Sequence, residues 1–188
     1  ASDVYKRQID SIGGKEAAEK RLDEMFRRLD ASYGDEWFAS GNEPSFQIPW
    51  IYNWAGAPYK AQQVIRRILN EQYSSRVNGL PGNDDLGSMG AWYVFASIGL
   101  FPEIPGVGGF SVNSPVFRKI VLHLPEGDVI IKGGDEKKEY IHSLSLGGKK
   151  MEGTWIDWSD LYRGATLVYK LSGKPDKTWG TRIAPPSY

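Results

Sequence analysis

Residues 79–95 read Gly79-Leu-Pro-Gly-Asn-Asp-Asp-Leu-Gly-Ser-Met-Gly-Ala-Trp-Tyr-Val-Phe95, a Gly/Pro-rich turn with two adjacent carboxylates that leads into an apolar run. Asn and Asp side chains accept hydrogen bonds from the first N–H groups of a helix, so the stretch predicts a helix start. A cap needs one such residue, whereas Asn83, Asp84 and Asp85 supply three. The helix dipole keeps carboxylates ionised here, which suits a general base or a cation ligand. An ordinary N-cap with solvated neighbours is the simpler alternative.

A second turn of similar character precedes the first and reads Ser40-Gly-Asn-Glu-Pro-Ser-Phe-Gln-Ile-Pro-Trp50. Pro44 fits a first helical position, with Asn42 or Glu43 as the cap. Together with Asp84 and Asp85, these two residues form a set of oxygen ligands of the kind calcium prefers, although the spacing is not that of an EF-hand. A carboxylate beside such a cation is what an inverting glycosidase requires of its base. Capping alone remains the alternative for this turn too.

The pattern of apolar residues predicts helices between residue 9 and about residue 100. Lys15–Asp30 and Pro58–Tyr73 are amphipathic, with Gly14 as the boundary before the first and Pro58 suited to the first turn of the second. Ile48–Trp54 and Met89–Ile98 are apolar all round and should be buried on every side. Alternating amphipathic and fully apolar helices indicate an outer layer that covers an inner one. This two-layer arrangement is typical of an α/α toroid, although about four helices are too few to close the ring of a toroid.

From Gly108 onward, apolar residues alternate with a period of two, which predicts half-buried strands around residues 120–124, 143–146 and 167–171. Gly147 and Gly148 predict a two-residue hairpin turn. The expected fold class is therefore α+β, with a helical part at 9–107 and a small antiparallel, β-rich region at 108–188.

Composition narrows the classes of function. The chain has 188 residues, 23 basic and 23 acidic, so its net charge is zero and nothing indicates a nucleic-acid partner. No apolar run is long enough for a membrane span. Cysteine is absent, which excludes thiolate chemistry, and aromatic residues make up 13%. Trp and Tyr build cores and also form platforms for sugar rings, and we expect a core role for most of them.

The first residues have an unusual sequence. Asp3-Val-Tyr-Lys-Arg-Gln8 is similar to the translation of a transposon adapter used in sequencing libraries. We therefore expect residues 1–8 to be an artefact, Ile9 to lie near the first natural residue, and the chain to be the C-terminal part of a longer protein.

Several long motifs in order resemble family 92 of the glycoside hydrolases across residues 9–180. They are the segments 41–45, 49–62, 79–95, 99–106 and 114–117. The resemblance implies a calcium-dependent, exo-acting α-mannosidase that inverts the anomeric carbon, is secreted or periplasmic, and acts on mannose-containing glycans, for example α-1,2-linked ones. It also implies an N-terminal β-sandwich joined to an (α/α)6 catalytic domain, of which this chain would be the C-terminal part.

The resemblance also implies roles for individual residues. Asp85 matches the general base, with Asp84 beside it as a second catalytic carboxylate. Asn83 stands where many family members have another Asp. The implied substrate site consists of Asn42, Glu43, Asn83 and Trp50. The implied calcium site consists of Glu43, Asn83 and Asp85.

The family's general acid is a Glu in an upstream segment that this sequence does not contain, so the chain alone, without the rest of the protein, is expected to be inactive. Two other readings stay open. One is a non-catalytic carbohydrate-binding protein, for which Trp155, Trp158 and Trp179 would be the sugar platforms. The other is an inert truncated product. The acidic turn distinguishes the enzyme from a binding module, which has no use for it.

Overall fold

The structure is a computed structural model that describes residues 5–32 and 34–187. The helices come first in the chain, and no helix among these residues is long and apolar enough to cross a membrane. Four α-helices are present in the described part of the chain: α1 Lys6–Ser11, α2 Lys15–Met25, α3 Pro58–Glu71 and α4 Ser88–Ile98. Short 3₁₀ segments cover Glu43–Ser45, Ile48–Asn53 and Trp158–Asp160.

The strands form two sheets. They are β1 Leu100–Phe101, β2 Gly109–Val112, β3 Lys119–Leu124, β4 Gly127–Lys132, β5 Tyr140–Leu146, β6 Lys149–Lys150, β7 Trp155–Asp157 and β8 Ala165–Ser172. The smaller sheet has the order β1-β2-β7 and the larger one β3-β4-β8-β5-β6. The fold is therefore α+β, as predicted.

Two helix starts follow the predicted signals. Gly14 is the N-cap of α2 and Pro58 occupies the first turn of α3. The predicted end of the first helix at Asp30 is wrong, because α2 ends at Met25.

Two further predictions need correction. The segment from Ile48 to Asn53 is a 3₁₀ helix rather than an α-helix. The prediction that α4 is buried on every side is wrong, because Val94 is 55% exposed. No described element packs over that face of α4.

The predicted hairpin is confirmed, since Leu146 pairs with Lys149 across Gly147 and Gly148, both at positive φ. The predicted antiparallel region contains one parallel strand pair, for which the prediction is wrong. Strand β8 lies between β4 and β5, antiparallel to β5 but parallel to β4. A late strand that inserts between two earlier ones creates this mixed sheet.

The predicted boundary after residue 8 stays a prediction. Residues Lys6 to Gln8 lie in α1, and the Tyr5 ring is buried at 4.5 Å from the Trp54 ring.

Two buried side chains of α3 connect the helical part to the strands. The Gln62 Oε1 accepts the backbone N–H of Ile141 at 2.8 Å. The Arg66 guanidinium, 3% exposed, donates to the carbonyls of Asp135, Glu136, Ser114 and Pro115 at 2.9–3.4 Å. Burial lowers the pKa of Arg66, and the nearby carboxylates of Glu139, Asp135 and Glu136 counteract that effect. These bonds fix the loops that precede β3 and β5 against α3.

One buried carboxyl gives the chain a pH-dependent stability. Glu103 is 2% exposed, and neither of its carboxyl oxygens has a hydrogen bond of good geometry among the described residues. Burial raises the pKa of Glu103 well above its usual range, and the Tyr5 hydroxyl, which lies 3.4 Å from the Glu103 carbonyl oxygen, counteracts part of that effect. In the unfolded chain Glu103 ionises at pH ~4.3. Because the folded state holds its proton to higher pH, the free energy of unfolding falls progressively as the pH rises above that value.

Replacing Glu103 by Met should therefore raise the melting temperature at pH 7.5 by at least about 3 °C. The gain should shrink toward pH 4, where wild-type Glu103 is protonated in both states. Thermal unfolding of both proteins across this pH range measures the effect. An equal gain at both ends of the range would show that the ionisation of Glu103 is not its cause.

Candidate active site

The structure brings the two predicted turns into backbone contact. A Cβ added to Gly41 would lie 2.6 Å from the Pro81 carbonyl oxygen, and one added to Gly82 would lie 2.5 Å from the Gly41 carbonyl oxygen. Real Cβ atoms do not approach oxygen so closely, so both positions require glycine. Asn42 and Asn83, the next residue of each turn, are therefore held at neighbouring places on the surface.

In the acidic turn, one side chain, that of Asp84, caps helix α4. Asp84 Oδ1 accepts the backbone N–H of Gly90, the third residue of α4, at 3.2 Å. The Asp84 carbonyl oxygen accepts the Met89 N–H at 3.2 Å and the Ser88 hydroxyl at 3.1 Å. Neither the N-cap of α4 nor Asn42 at the other turn makes a side-chain cap bond. Among the capping candidates, only Asp84 is seen to bond to a helix N–H group.

The residues between Asp84 and α4 adopt an uncommon backbone conformation. Asp85 has φ 49° and Leu86 has φ 60°, both in the left-handed region. Asp is among the non-glycine residues that adopt this region more often, whereas Leu rarely does. The Leu86 side chain is fully exposed, so packing does not explain its conformation. Strain of this kind, about 1–3 kcal/mol per residue, is typical of functional sites.

The carboxylates of this region are exposed and unneutralised. Within the described ranges, Glu43, Asp84 and Asp85 have no ion-pair partner, and the Asp85 carboxylate accepts no hydrogen bond. Asp85 is therefore available to a water molecule, a substrate or a cation, whereas Asp84 is already engaged by Gly90.

Aromatic side chains support the turns from beneath. The Trp92 Nε1 of α4 donates to the Phe46 carbonyl at 3.0 Å, which connects α4 to the turn that contains Glu43. Tyr73 stacks on Trp92 with ring centroids 5.6 Å apart. Burial, and after it the negative charge of Asp84, raises the pKa of Tyr73. The hydroxyl of Tyr73 thus stays protonated close to the acidic turn.

Trp50 belongs to the core of the described structure. Its side chain is 0% exposed and stacks on Phe101 at 4.1 Å, with Trp92 edge-on at 5.8 Å. This placement favours a packing role for Trp50, and its contact with a sugar stays a prediction.

A cleft of about 340 Å³ opens beside the junction of the two turns. Asn42 and Pro81 line it together with Ser40, whose hydroxyl donates to the Leu29 carbonyl at 2.7 Å and lies 2.9 Å from the Gln72 amide oxygen. Among the predicted substrate residues, Asn42 thus lies on the wall of this cleft.

The oxygen donors do not form a carboxylate cluster. In residues 5–32 and 34–187, no three His, Cys, Asp or Glu side chains are grouped closely enough to hold a metal ion. The donor set of Glu43, Asn83 and Asp85 is chemically suited to calcium, because all its ligands are oxygens and two are unpaired carboxylates. Further ligands from outside the set would be needed to complete a site.

The three tryptophans of the alternative sugar platform differ in their surroundings. Trp158 is 42% exposed, Trp179 is 6% exposed, and Trp155 donates its indole N–H to Asp157. A sugar-binding role for them stays a prediction.

Two features of the site were missed from the sequence. Gly41 and Gly82 lie in the two turns, and glycine is the residue that permits close backbone approach, but it does not say which segments meet. The left-handed conformation of Leu86 has no signal in the sequence, whereas Asp is among the residues that tolerate it.

Comparisons with known proteins agree on one class, the glycoside hydrolases. The model of the glycosyl hydrolase family 92 catalytic domain matches residues 5–173. A protein of Arthroderma benhamiae described as an uncharacterized secreted glycosidase is 34% identical over 168 residues, which cover 85% of this chain and 22% of that protein.

Solved structures give the same result. A family GH92 α-mannosidase from Bacteroides thetaiotaomicron superposes with a TM-score of 0.88 at 31% identity, covering 99% of this chain and 25% of that one. An inverting family GH92 mannosidase of the same organism has a TM-score of 0.81 at 28% identity, with 92% and 26% covered. The chain belongs to glycosyl hydrolase family 92. It spans about a quarter of the length of these relatives.

Proposed function

We propose that the intact protein is an inverting exo-α-mannosidase and that this chain carries its general base, Asp85. The observation that supports this role is the exposed carboxylate of Asp85, which has no hydrogen-bond or ion-pair partner among the described residues and sits on a left-handed turn. Membership of family 92 and the likeness to α-mannosidase structures supply the reaction class.

In this mechanism Asp85 accepts a proton from a water molecule, and the water oxygen attacks the anomeric carbon from the side opposite the leaving oxygen. An inverting enzyme places its two carboxyl groups about 6.5–9.5 Å apart to leave room for that water. The general acid, which protonates the leaving oxygen, is assigned to a part of the intact protein outside this chain. Asn42 on the cleft wall would contact the sugar.

Glu43, Asn83 and Asp85 would hold calcium, with remaining positions filled by other oxygens. When bound, the cation supplies positive charge beside the sugar and the attacked carbon. The three unneutralised carboxylates of the two joined turns favour the binding of a cation at this place.

The substrate is a terminal α-mannoside of a glycan, and one GH92 structure similar to this chain was solved with mannoimidazole. We assign the helices to the C-terminal part of an (α/α)6 toroid, in which the exposed face of α4 would pack on other helices of the same domain. Secretion is proposed from the description of the fungal relative.

The function is tested by incubating the intact protein with an aryl α-mannoside and measuring mannose release. Release is expected from the intact protein but not from this chain alone, because a missing general acid costs about 10²–10⁴-fold in rate. Mannose release by this chain alone would contradict the division of the catalytic pair. Failure of the intact protein on all α-mannosides would contradict the proposed activity.

The calcium site makes a separate prediction. A chelator should abolish the activity of the intact protein, and added calcium should restore it. Glu43→Gln should shift the calcium titration to higher concentrations, about tenfold or more, because a neutral amide binds calcium more weakly than a carboxylate does. Glu36→Gln, at an exposed glutamate outside the two turns, is the matched control. Full activity in excess chelator would refute the site, and an unchanged titration would remove Glu43 from it.

A further inference from the structure

The two adjacent aspartates of the acidic turn differ in what they bind. The Asp84 carboxylate bonds to the Gly90 N–H at 3.2 Å, and its carbonyl oxygen bonds to Ser88 and Met89. The Asp85 side chain makes no such bond in the described part of the chain. One oxygen of the Asp84 carboxylate is therefore held at the start of α4, whereas both carboxylate oxygens of Asp85 are free of bonds to the described residues.

The backbone between these bonds is the strained part of the turn. Asp85 and Leu86 have φ 49° and 60°, and Gly87 follows at φ 92°. Non-glycine residues persist in this region only when their surroundings hold them there. The bonds from Asp84 to residues 88–90, with the Ser88 N–H on the Asp85 carbonyl at 3.2 Å, close a loop around Asp85 and Leu86.

We propose that Asp84 is a positioning residue, whose carboxylate acts as a hydrogen-bond acceptor that holds the left-handed turn and thereby fixes Asp85 in its reactive position. This inference rests on the proposed function of Asp85. It changes the role predicted for Asp84 from catalysis to positioning. The charge of Asp84 is dispensable under this assignment, whereas its acceptor oxygen is not.

Two substitutions separate the acceptor from the charge. Asp84→Asn keeps an oxygen for the Gly90 N–H, and Asp84→Ala removes it. In the intact protein with an aryl α-mannoside, Asp84→Asn should keep kcat within about 5-fold of wild type. Asp84→Ala should lower kcat about 100-fold, the cost of a displacement near 1 Å, with KM almost unchanged. The kcat is measured on protein shown to be folded by circular dichroism.

Leu86→Gly provides an independent test if Asp84→Ala does not fold. Glycine adopts φ 60° without strain and does not confine the turn. We expect a melting temperature no lower than that of wild type together with a kcat lowered at least about 5-fold. If the turn were merely structural, a variant with an unchanged melting temperature would also have an unchanged kcat.

The kinetic results distinguish an error in the positioning role of Asp84 from an error in the base role of Asp85. If Asp84→Asn is as inactive as Asp84→Ala while Asp85→Asn is also inactive, then the Asp84 carboxylate takes part in the chemistry and the positioning role is wrong. Wild-type kcat in Asp84→Ala or in Leu86→Gly would equally overturn it. Wild-type kcat in Asp85→Asn would instead overturn the base assignment in the proposed function.

Discussion

Replacing Asp85 by Asn in the intact protein is expected to lower kcat by about 10²- to 10⁴-fold and to leave KM nearly unchanged. A general base acts on water in the transition state and contributes little to ground-state binding of the sugar. The kcat and kcat/KM values should therefore fall together. Steady-state kinetics on an aryl α-mannoside measures both.

The matched control for this variant is Asp160→Asn, since Asp160 is an exposed aspartate at the end of the Trp158–Asp160 segment. It should have wild-type kinetics. If Asp85→Asn raised KM alone, Asp85 would be a sugar contact rather than the base. If it lowered the melting temperature as much as the loss of a helix cap does, its role would be structural.

The largest effect on stability is expected from Arg66→Met. The substitution leaves the buried carbonyls of the loops at 114–115 and 135–136 without their donor. Each unsatisfied buried acceptor costs about 1–3 kcal/mol, so the free energy of unfolding should fall by at least about 3 kcal/mol. Urea unfolding of this chain measures the loss.

Arg67→Met is the control for this prediction, because Arg67 is the next residue of α3. Its guanidinium pairs with the exposed Glu71 and donates to one described carbonyl, that of Phe26. Its substitution should cost about 1 kcal/mol. Equal losses for the two variants would show that Arg66 does not connect the helical part to the strands.

Much of the fold follows from local patterns in the sequence. The start of α2 after Gly14, the start of α3 at Pro58 and the turn at Gly147 and Gly148 depend on the conformations that these residues themselves prefer. Such preferences act over a few residues, and the structure agrees with them at these positions.

Long-range packing could not be predicted in the same way. The parallel pairing of β4 with β8 depends on where the earlier strands leave an open sheet edge for β8. The alternation of apolar and polar residues does not encode this information. The exposure of the Val94 face of α4 depends on what else packs there. For Trp50, an apolar ring beside a polar turn suits a sugar platform and a core equally well, and the structure buries it.

The candidate site was predictable in its residue types but not in its geometry. Adjacent Asp84 and Asp85 are alike in sequence, and the structure shows that the Asp84 carboxylate is bonded to Gly90 while Asp85 lies on a left-handed turn without such a bond. The contact between Gly41 and Gly82 joins turns that are far apart in the chain.

The central claim is that Asp85 activates a water molecule that inverts the anomeric carbon. Proton NMR of the intact protein acting on an aryl α-mannoside tests it most directly, because the anomeric proton of the first-released mannose shows its configuration before mutarotation. The account predicts β-mannose as the initial product. Initial release of α-mannose would show retention and would contradict the assignment of Asp85 as a base acting on water.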